Sequence, residues 1–296
     1  MRQVEFIDRQ SGQKITESVP AGGMMRFLYS QNALGRFLLW AIIKRRVLSV
    51  VVGWYMLSSW SKRSVKKFVE NHHIDLSEFV VPQNGFKHFN QFFYRKIAPD
   101  KRPIGEGVVS PADGKIVVFP TIDVTKLFYI KGEKFNLKTF LKDDLLAAKY
   151  SDGAMAVIRL APTDYHRFHF PLEGYVGENK IIDGDYYSVS PIALKQNMRI
   201  FCQNKRHYVT VDSDQVDQYV MSEVGATLTG SIVQSHWPNI TIEKGGEKGF
   251  FAFGGSTVIL LFQKDKIKFN ADLREHSSNG FETSIKMGET IAELLN

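Results

Sequence analysis

From Val108 onward the chain is a series of short β-rich runs separated by Gly, Pro, Asp and Asn. The runs are Lys115–Phe119, Ala154–Leu160, Tyr208–Val211, Ala226–Val233, Ile240–Ile242, Phe250–Phe253 and Thr257–Phe262. Several short strands with turn signals between them argue for an all-β sandwich or a barrel-like body. No fixed-period repeat runs through them. No P-loop or dinucleotide fingerprint follows any of the strands.

The first quarter has a different character. Residues 1–68 hold 12 Lys+Arg and 3 Asp+Glu, whereas the rest of the 296-residue chain holds 26 and 28. The whole excess behind the net charge of +7 therefore lies there. A basic appendage on a near-neutral body points to a polyanionic partner, either nucleic acid or an anionic membrane. The same region is the most apolar. Met24–Ile43 and Val47–Ser61 flank the basic triplet Lys44-Arg45-Arg46, and neither offers the roughly 20 uninterrupted apolar residues of a spanning helix. The reading adopted is one or two helices lying in the membrane interface. Trp40, Trp54, Tyr55 and Trp60 would sit at headgroup level, and Arg36, Lys44, Arg45, Arg46, Lys62 and Arg63 would face lipid phosphates. A buried helical hairpin capping the core is the alternative. Nucleic acid fits less well, because the cations are interleaved with long aliphatic runs. No cleavable signal peptide is expected, since Met1 to Ser18 has no apolar run.

Residues 61–80 read as a further helix with His72 and His73 on its surface. Pro82-Gln83-Asn84-Gly85 is a turn, and the spacing of Phe89, Phe92 and Phe93 suits a buried helical face. The single cysteine, Cys202, cannot form an internal disulfide and reads as a packed thiol. The fold class is thus α+β: a helical N-terminal membrane-binding region over residues 1–85, then a predominantly β, sandwich-like body over residues 86–296.

Three local features could carry chemistry. Phe253-Gly254-Gly255-Ser256-Thr257 sits between two strand-like runs. Two glycines together mark a bend or a close backbone approach, and a serine behind them could reach the Gly255 carbonyl for an N→O acyl shift. A plain hairpin turn fits the same letters. Asp164-Tyr165-His166-Arg167-Phe168-His169 carries two histidines three apart. No cluster supplies further ligands for zinc, whereas a general base needs one histidine and an orienting carboxylate. A structural histidine pair is the alternative. Asp113 in Ser110-Pro111-Ala112-Asp113-Gly114-Lys115 could orient a histidine, or simply make an Asx-turn.

These three features, in the chain order Asp113, then His166 and His169, then Ser256, resemble the phosphatidylserine decarboxylase family. Phe89-Asn90-Gln91-Phe92-Phe93-Tyr94-Arg95-Lys96 with Arg102-Pro103-Ile104, Lys131-Gly132-Glu133-Lys134-Phe135, Tyr187-Ser188-Val189-Ser190-Pro191 and Glu223-Val224-Gly225-Ala226-Thr227 are similar to further segments of that family. The resemblance runs from about Phe86 to the C-terminus. Before that the match is one of kind only, a basic apolar membrane-binding region. Gly254 stands where many members have Leu. A Gly-Gly-Ser-Thr form also occurs in the family, so this is read as subfamily variation.

The resemblance implies a self-cleaving proenzyme. Asp113 would orient His169, and His169 would take the Ser256 hydroxyl proton. Cleavage between Gly255 and Ser256 would give a large chain, 1–255, and a small chain, 256–296, headed by a pyruvoyl group made from Ser256. That group would decarboxylate phosphatidylserine to phosphatidylethanolamine through a Schiff base, with His166 serving the decarboxylation and no metal required. The implied partners are phosphatidylserine in an anionic membrane, the protein's own cleaved chains and a second protomer in a homodimer, with no nucleic acid. The implied place is peripheral, on the cytoplasmic face of the cell membrane. Two rivals stand beside this reading. One is a membrane-associated serine hydrolase using Asp113, His169 and Ser256, although the Gly-x-Ser-x-Gly elbow is missing. The other is a non-enzymatic, membrane-tethered β-sandwich binding module.

Overall fold

The computed structural model describes residues 5–17, 23, 27, 46–122, 136–190, 193, 200–226, 231–254 and 256–295. Its largest unit is an eleven-stranded sheet. From one edge to the other its strands are Ile240–Ile242, Gly174–Val176, Arg206–Ser213, Asp217–Gly225, Ser256–Phe262, Ala154–Leu160, Gly114–Phe119, Glu282–Ile285, Glu5–Ile7 and Lys14–Thr16, with Lys180–Ile182 also paired to Arg206–Ser213. The Glu5–Ile7/Glu282–Ile285 pair is parallel; every other pair is antiparallel. Two three-stranded sheets complete the body. One joins Ile232–Gln234, Glu247–Phe251 and Arg167–His169; the other joins Ile267–Phe269, Thr290–Leu294 and Val108–Val109. The body is predominantly β, as the punctuated apolar runs predict.

Ser256–Phe262 lies in the middle of the large sheet and is buried at all seven positions. Its alternate side chains serve two cores. Val258, Leu260 and Phe262 pack with Phe168, Phe251 and Ile291 on one face. Ile259 and Leu261 pack with Leu137, Phe140 and Phe201, carried by short helices, on the other. A strand covered on both faces needs an unbroken apolar run, and Thr257-Val258-Ile259-Leu260-Leu261-Phe262 supplies it.

A third cluster is helical. Phe89–Phe93 is a short helix, capped by His88, whose Nδ1 accepts from the Gln91 N–H at 3.1 Å. Phe89, Phe92 and Phe93 are buried there with Val65 of the helix Lys62–His72. The latter ends where His73 enters the left-handed region, at φ 51°. A helix of Arg46–Leu57 precedes it. Trp54, Tyr55 and Leu57 are exposed, as are Trp60, Lys62, Arg63, Lys66 and Lys67 beyond them. Among the described residues no helix is long and apolar enough to cross a membrane. Most of the predicted interfacial segment, including Arg36, Trp40, Lys44 and Arg45, lies outside the described residues.

Three elements differ from the sequence reading. Glu5–Ile7 and Lys14–Thr16 form a hairpin on the body's sheet, in a region read as helical. Asp217–Gly225 is a nine-residue strand outside the predicted runs; of the run Ala226–Val233, residues 227–230 lie outside the described residues and its end falls in the strand Ile232–Gln234. The helix predicted over 61–80 ends at His72, and Leu76–Glu78 follows as a 3₁₀ turn capped by Asp75.

Candidate active site

Ser256 opens its strand, opposite Gly225 on one side and Leu160 on the other. It is fully buried, and its Oγ finds no hydrogen-bond partner among the described residues. A buried hydroxyl left bare costs about 1–3 kcal/mol, and a catalytic role is one of the reasons for which native structures leave such an atom. Gly255 lies outside the described residues. Before it, Gly254 has φ +138°, a conformation that favours glycine. The approach to Ser256 is fixed further back. The Phe253 N–H donates to Asn90 Oδ1 at 2.8 Å, and the Phe253 ring meets Phe89 and Phe93 edge-on at 5.3 and 5.2 Å.

Phe93 links this segment to His166, whose ring lies 3.8 Å from it, centroid to centroid. His166 follows a tight turn. The Asp164 N–H donates to the Ala161 carbonyl at 2.9 Å, and the Asp164 carboxylate accepts from the Ala161 N–H at 2.8 Å and from Lys115 Nζ at 2.9 and 3.0 Å. The Asp164 carbonyl lies 2.8 Å from His166 Nδ1. A carbonyl only accepts, so Nδ1 carries the proton and Nε2 keeps its lone pair. That Nε2 is buried and bare. Burial pushes the His166 pKa down to about 3, so the ring is neutral near pH 7.

His169 is held in the same tautomer. Its Nδ1 donates to the Gly245 carbonyl at 2.9 Å, and its Nε2 accepts from the Tyr165 hydroxyl at 2.9 Å. Gly245 has φ +80°, and a Cβ there would lie 2.6 Å from Ile104, so the acceptor needs a glycine. Burial lowers the His169 pKa, and the charges of Glu247 and Asp113 oppose that.

Asp113 is committed elsewhere. Arg102 donates to it from Nε at 3.1 Å and from Nη2 at 2.7 Å, and the Met287 N–H donates at 2.8 Å. Arg102 also donates to Glu78 at 2.9 Å. The expected Asp113–His169 contact is thus replaced: Gly245 and Tyr165 orient the imidazole, and Asp113 acts on it through space. Tyr165, Gly245 and Arg102 are contacts of these candidate residues that the sequence reading did not single out. Tyr165 and Arg102 lie inside the quoted motifs. No spacing rule, however, pairs His169 with a carbonyl 76 residues away.

The family model for phosphatidylserine decarboxylase matches residues 89–293. The chain belongs to the phosphatidylserine decarboxylase family. Among its relatives is a phosphatidylserine decarboxylase proenzyme of Fusobacterium nucleatum, 45% identical over 289 residues, which cover 97% of this chain and 96% of that protein. Proteins of the same name from Chlamydia muridarum and Clostridium novyi are 41% identical over 291 residues and 42% over 282. These cover 97% and 94% of this chain, and 96% and 95% of the relatives. The decarboxylase family model begins at Phe89, the first residue of the short helix that holds Phe253. The matches to relatives are nearly full length and so also take in much of the basic N-terminal region.

Proposed function

We propose that this chain is the proenzyme of a pyruvoyl-dependent phosphatidylserine decarboxylase, converting phosphatidylserine to phosphatidylethanolamine and carbon dioxide. Family membership supports the activity. The bare, buried Ser256 hydroxyl after Gly254-Gly255 is the observation that carries the self-processing. Ser256 Oγ attacks the Gly255 carbonyl carbon and the peptide nitrogen leaves, giving an ester. Loss of the Ser256 α-proton expels the Gly255 carboxylate. The dehydroalanine that remains takes up water and releases ammonia, leaving a ketone at the head of residues 256–296. His169 Nε2 takes the Oγ proton, for which Tyr165 must yield that lone pair. Asp113, fixed by Arg102 and Met287, favours the imidazolium electrostatically. The pyruvoyl group so made supplies a carbonyl for the substrate's amine and an electron sink for the departing carboxylate. The site fits it, since a buried hydroxyl and a bare imidazole nitrogen are left without partners. His166 is the candidate to hold the carboxylate region and to return a proton to the carbon that carbon dioxide leaves, its Nε2 first taking up that proton because the resting ring is neutral.

One observation favours an exchange of roles: His166 Nε2 is bare, whereas His169 Nε2 is occupied. His169→Ala is expected to block cleavage, and His166→Ala to permit some cleavage while losing decarboxylation. The reverse pattern assigns self-cleavage to His166. The division at about residue 85, with a membrane-associating part before it and a catalytic part after it, belongs to the same proposal, except that the hairpin of residues 5–16 docks on the catalytic body. Exposed Trp54, Tyr55, Leu57 and Trp60 beside exposed Lys62, Arg63, Lys66 and Lys67 support a peripheral contact with anionic lipid on the cytoplasmic face. The processed protomers pair as a homodimer.

The deciding experiment is intact mass under denaturing conditions for the full chain and for Ser256→Ala. A break after Gly255 with a pyruvoyl-blocked small chain, absent from Ser256→Ala, supports the reading. A folded wild-type chain that stays whole rejects it.

A further inference from the structure

Seven Lys and Arg side chains are buried among the described residues. Arg102, Lys115, Arg159, Arg167 and Lys248 each reach a carboxylate. Arg206 reaches none, but its Nε, Nη1 and Nη2 all donate to the carbonyls of Thr139, Phe140, Cys202 and Asn204. Arg95 is different. It is 3% exposed, has no carboxylate partner, and leaves its Nε–H bare. Its Nη1 donates to the Phe92 carbonyl at 3.3 Å, and its Nη2 to those of Thr163 and Asp164 at 3.1 and 3.5 Å.

A buried cation without a direct ion pair is costly, and the charges of Asp113 and Asp164 oppose that cost only through space. The rings of Phe79 and Phe92, 4.1 and 4.8 Å from the guanidinium carbon, offset part of that cost. Burial pushes the guanidinium pKa down to about 10, so the group stays charged at neutral pH. Arg95 and His166 share an acceptor: Nδ1 of His166 donates to the same Asp164 carbonyl. Arg95 and His166 therefore meet at one turn, which follows Leu160, the residue paired with Ser256.

We propose that Arg95 binds an anionic oxygen group of the phosphatidylserine headgroup, its carboxylate or its phosphate, through the Nε–H that has no acceptor among the described residues. The inference rests on the decarboxylase reading above. A charged guanidinium with one free N–H can donate to either oxyanion. A contact to the phosphate is kept through the reaction, so its loss falls mainly on KM; a contact to the carboxylate weakens as carbon dioxide leaves, so its loss raises KM without lowering kcat.

The test uses full-length Arg95→Gln and Arg95→Lys chains beside the wild type. Intact mass reports self-cleavage, and steady-state kinetics on phosphatidylserine in mixed micelles follow. Arg95→Gln is expected to be cleaved and to raise KM about tenfold to hundredfold, with a smaller change in kcat and partial recovery in Arg95→Lys. Inhibition by phosphatidylethanolamine, which has the phosphate and lacks the carboxylate, separates the sources. If that inhibition weakens in step with the rise in KM, Arg95 holds the phosphate; if it is unchanged, Arg95 holds the carboxylate. Unchanged KM in both cleaved variants overturns the proposal, as does a fall in kcat alone that is equal in both. Should Arg95→Gln fail to fold, Arg95→Lys decides, because it lacks the fork and the Nε–H: a raised KM supports the assignment and an unchanged one removes it. A wild-type chain that stays whole sinks the decarboxylase reading and this proposal together, whereas a cleaved wild type with indifferent variants sinks Arg95 alone.

Discussion

Gly254 is a single residue whose backbone can be tested directly. At φ +138° a side chain is strained, and strain of that kind costs on the order of 1–3 kcal/mol. Gly254→Ala in the Ser256→Ala background should lose about that much stability in urea unfolding. With Ser256 intact it should slow cleavage, read by mass against time. Equal cleavage rates would mean that this backbone conformation is not needed for the attack. At the same scale, the sequence displays Ser256, His166, His169 and Asp113 because each sits in a compact motif. Their partners are not legible. Arg102 meets Asp113 11 residues on, Lys115 meets Asp164 49 residues on, and Gly245 meets His169 only once Arg167–His169 has paired with Glu247–Phe251. Arg95 lies in a quoted motif, and only the structure reveals that its Nε–H has no acceptor among the described residues.

Among the elements, the apolar runs were legible wherever a strand is buried on both faces, as in Ala154–Leu160 and Ser256–Phe262. Asp217–Gly225 was not, because Asp217, Gln218, Ser222 and Glu223 break its apolar pattern. The sheet tolerates them through partners: the Ser222 hydroxyl donates to the His207 carbonyl at 2.8 Å, and Lys248 meets Glu223 at 2.8 Å. The hairpin of Glu5–Ile7 and Lys14–Thr16 is too short and too charged to announce itself. It exists because Glu282–Ile285 offers a parallel edge, and Arg9 then donates to Asp272 and to the Thr290 carbonyl. The helix Arg46–Leu57 and the turn after it carry Trp54 and Trp60 at 72% and 75% exposure, too much bare aromatic surface to owe to core packing. Replacing both with Ser should lower partitioning onto phosphatidylserine-containing vesicles about tenfold or more, read by co-sedimentation. Unchanged partitioning would remove this face from the contact.

For the whole molecule, buried histidines set the response to acid. Burial depresses the pKa of His166 to about 3 and that of His207 to about 4. An unfolded histidine titrates near 6.5. Below that value the unfolded chain binds more protons than the folded one. Stability is therefore full above about pH 6.5 and falls by about 1.4 kcal/mol per pH unit for each group as acid is added. The fall continues until pH approaches the folded values. The urea midpoint of the Ser256→Ala chain should drop between pH 7.5 and 5.5, and His207→Gln should lessen the drop. A midpoint that does not move over that range would show that neither ring is neutral and buried as described.

The position of Ser256–Phe262, between Asp217–Gly225 and Ala154–Leu160, has a further consequence. Residues 256–295 also supply Glu282–Ile285, which lies between Gly114–Phe119 and Glu5–Ile7. A cut before Ser256 thus leaves two polypeptides woven through one sheet, with no shared edge along which they could part. Folding is unimolecular before the cut; afterwards, reassembly becomes an encounter between two diffusing chains whose yield depends on concentration. A molecule unfolded after the cut would then have no short route home, and its working life would be set by how slowly the interleaved strands come apart.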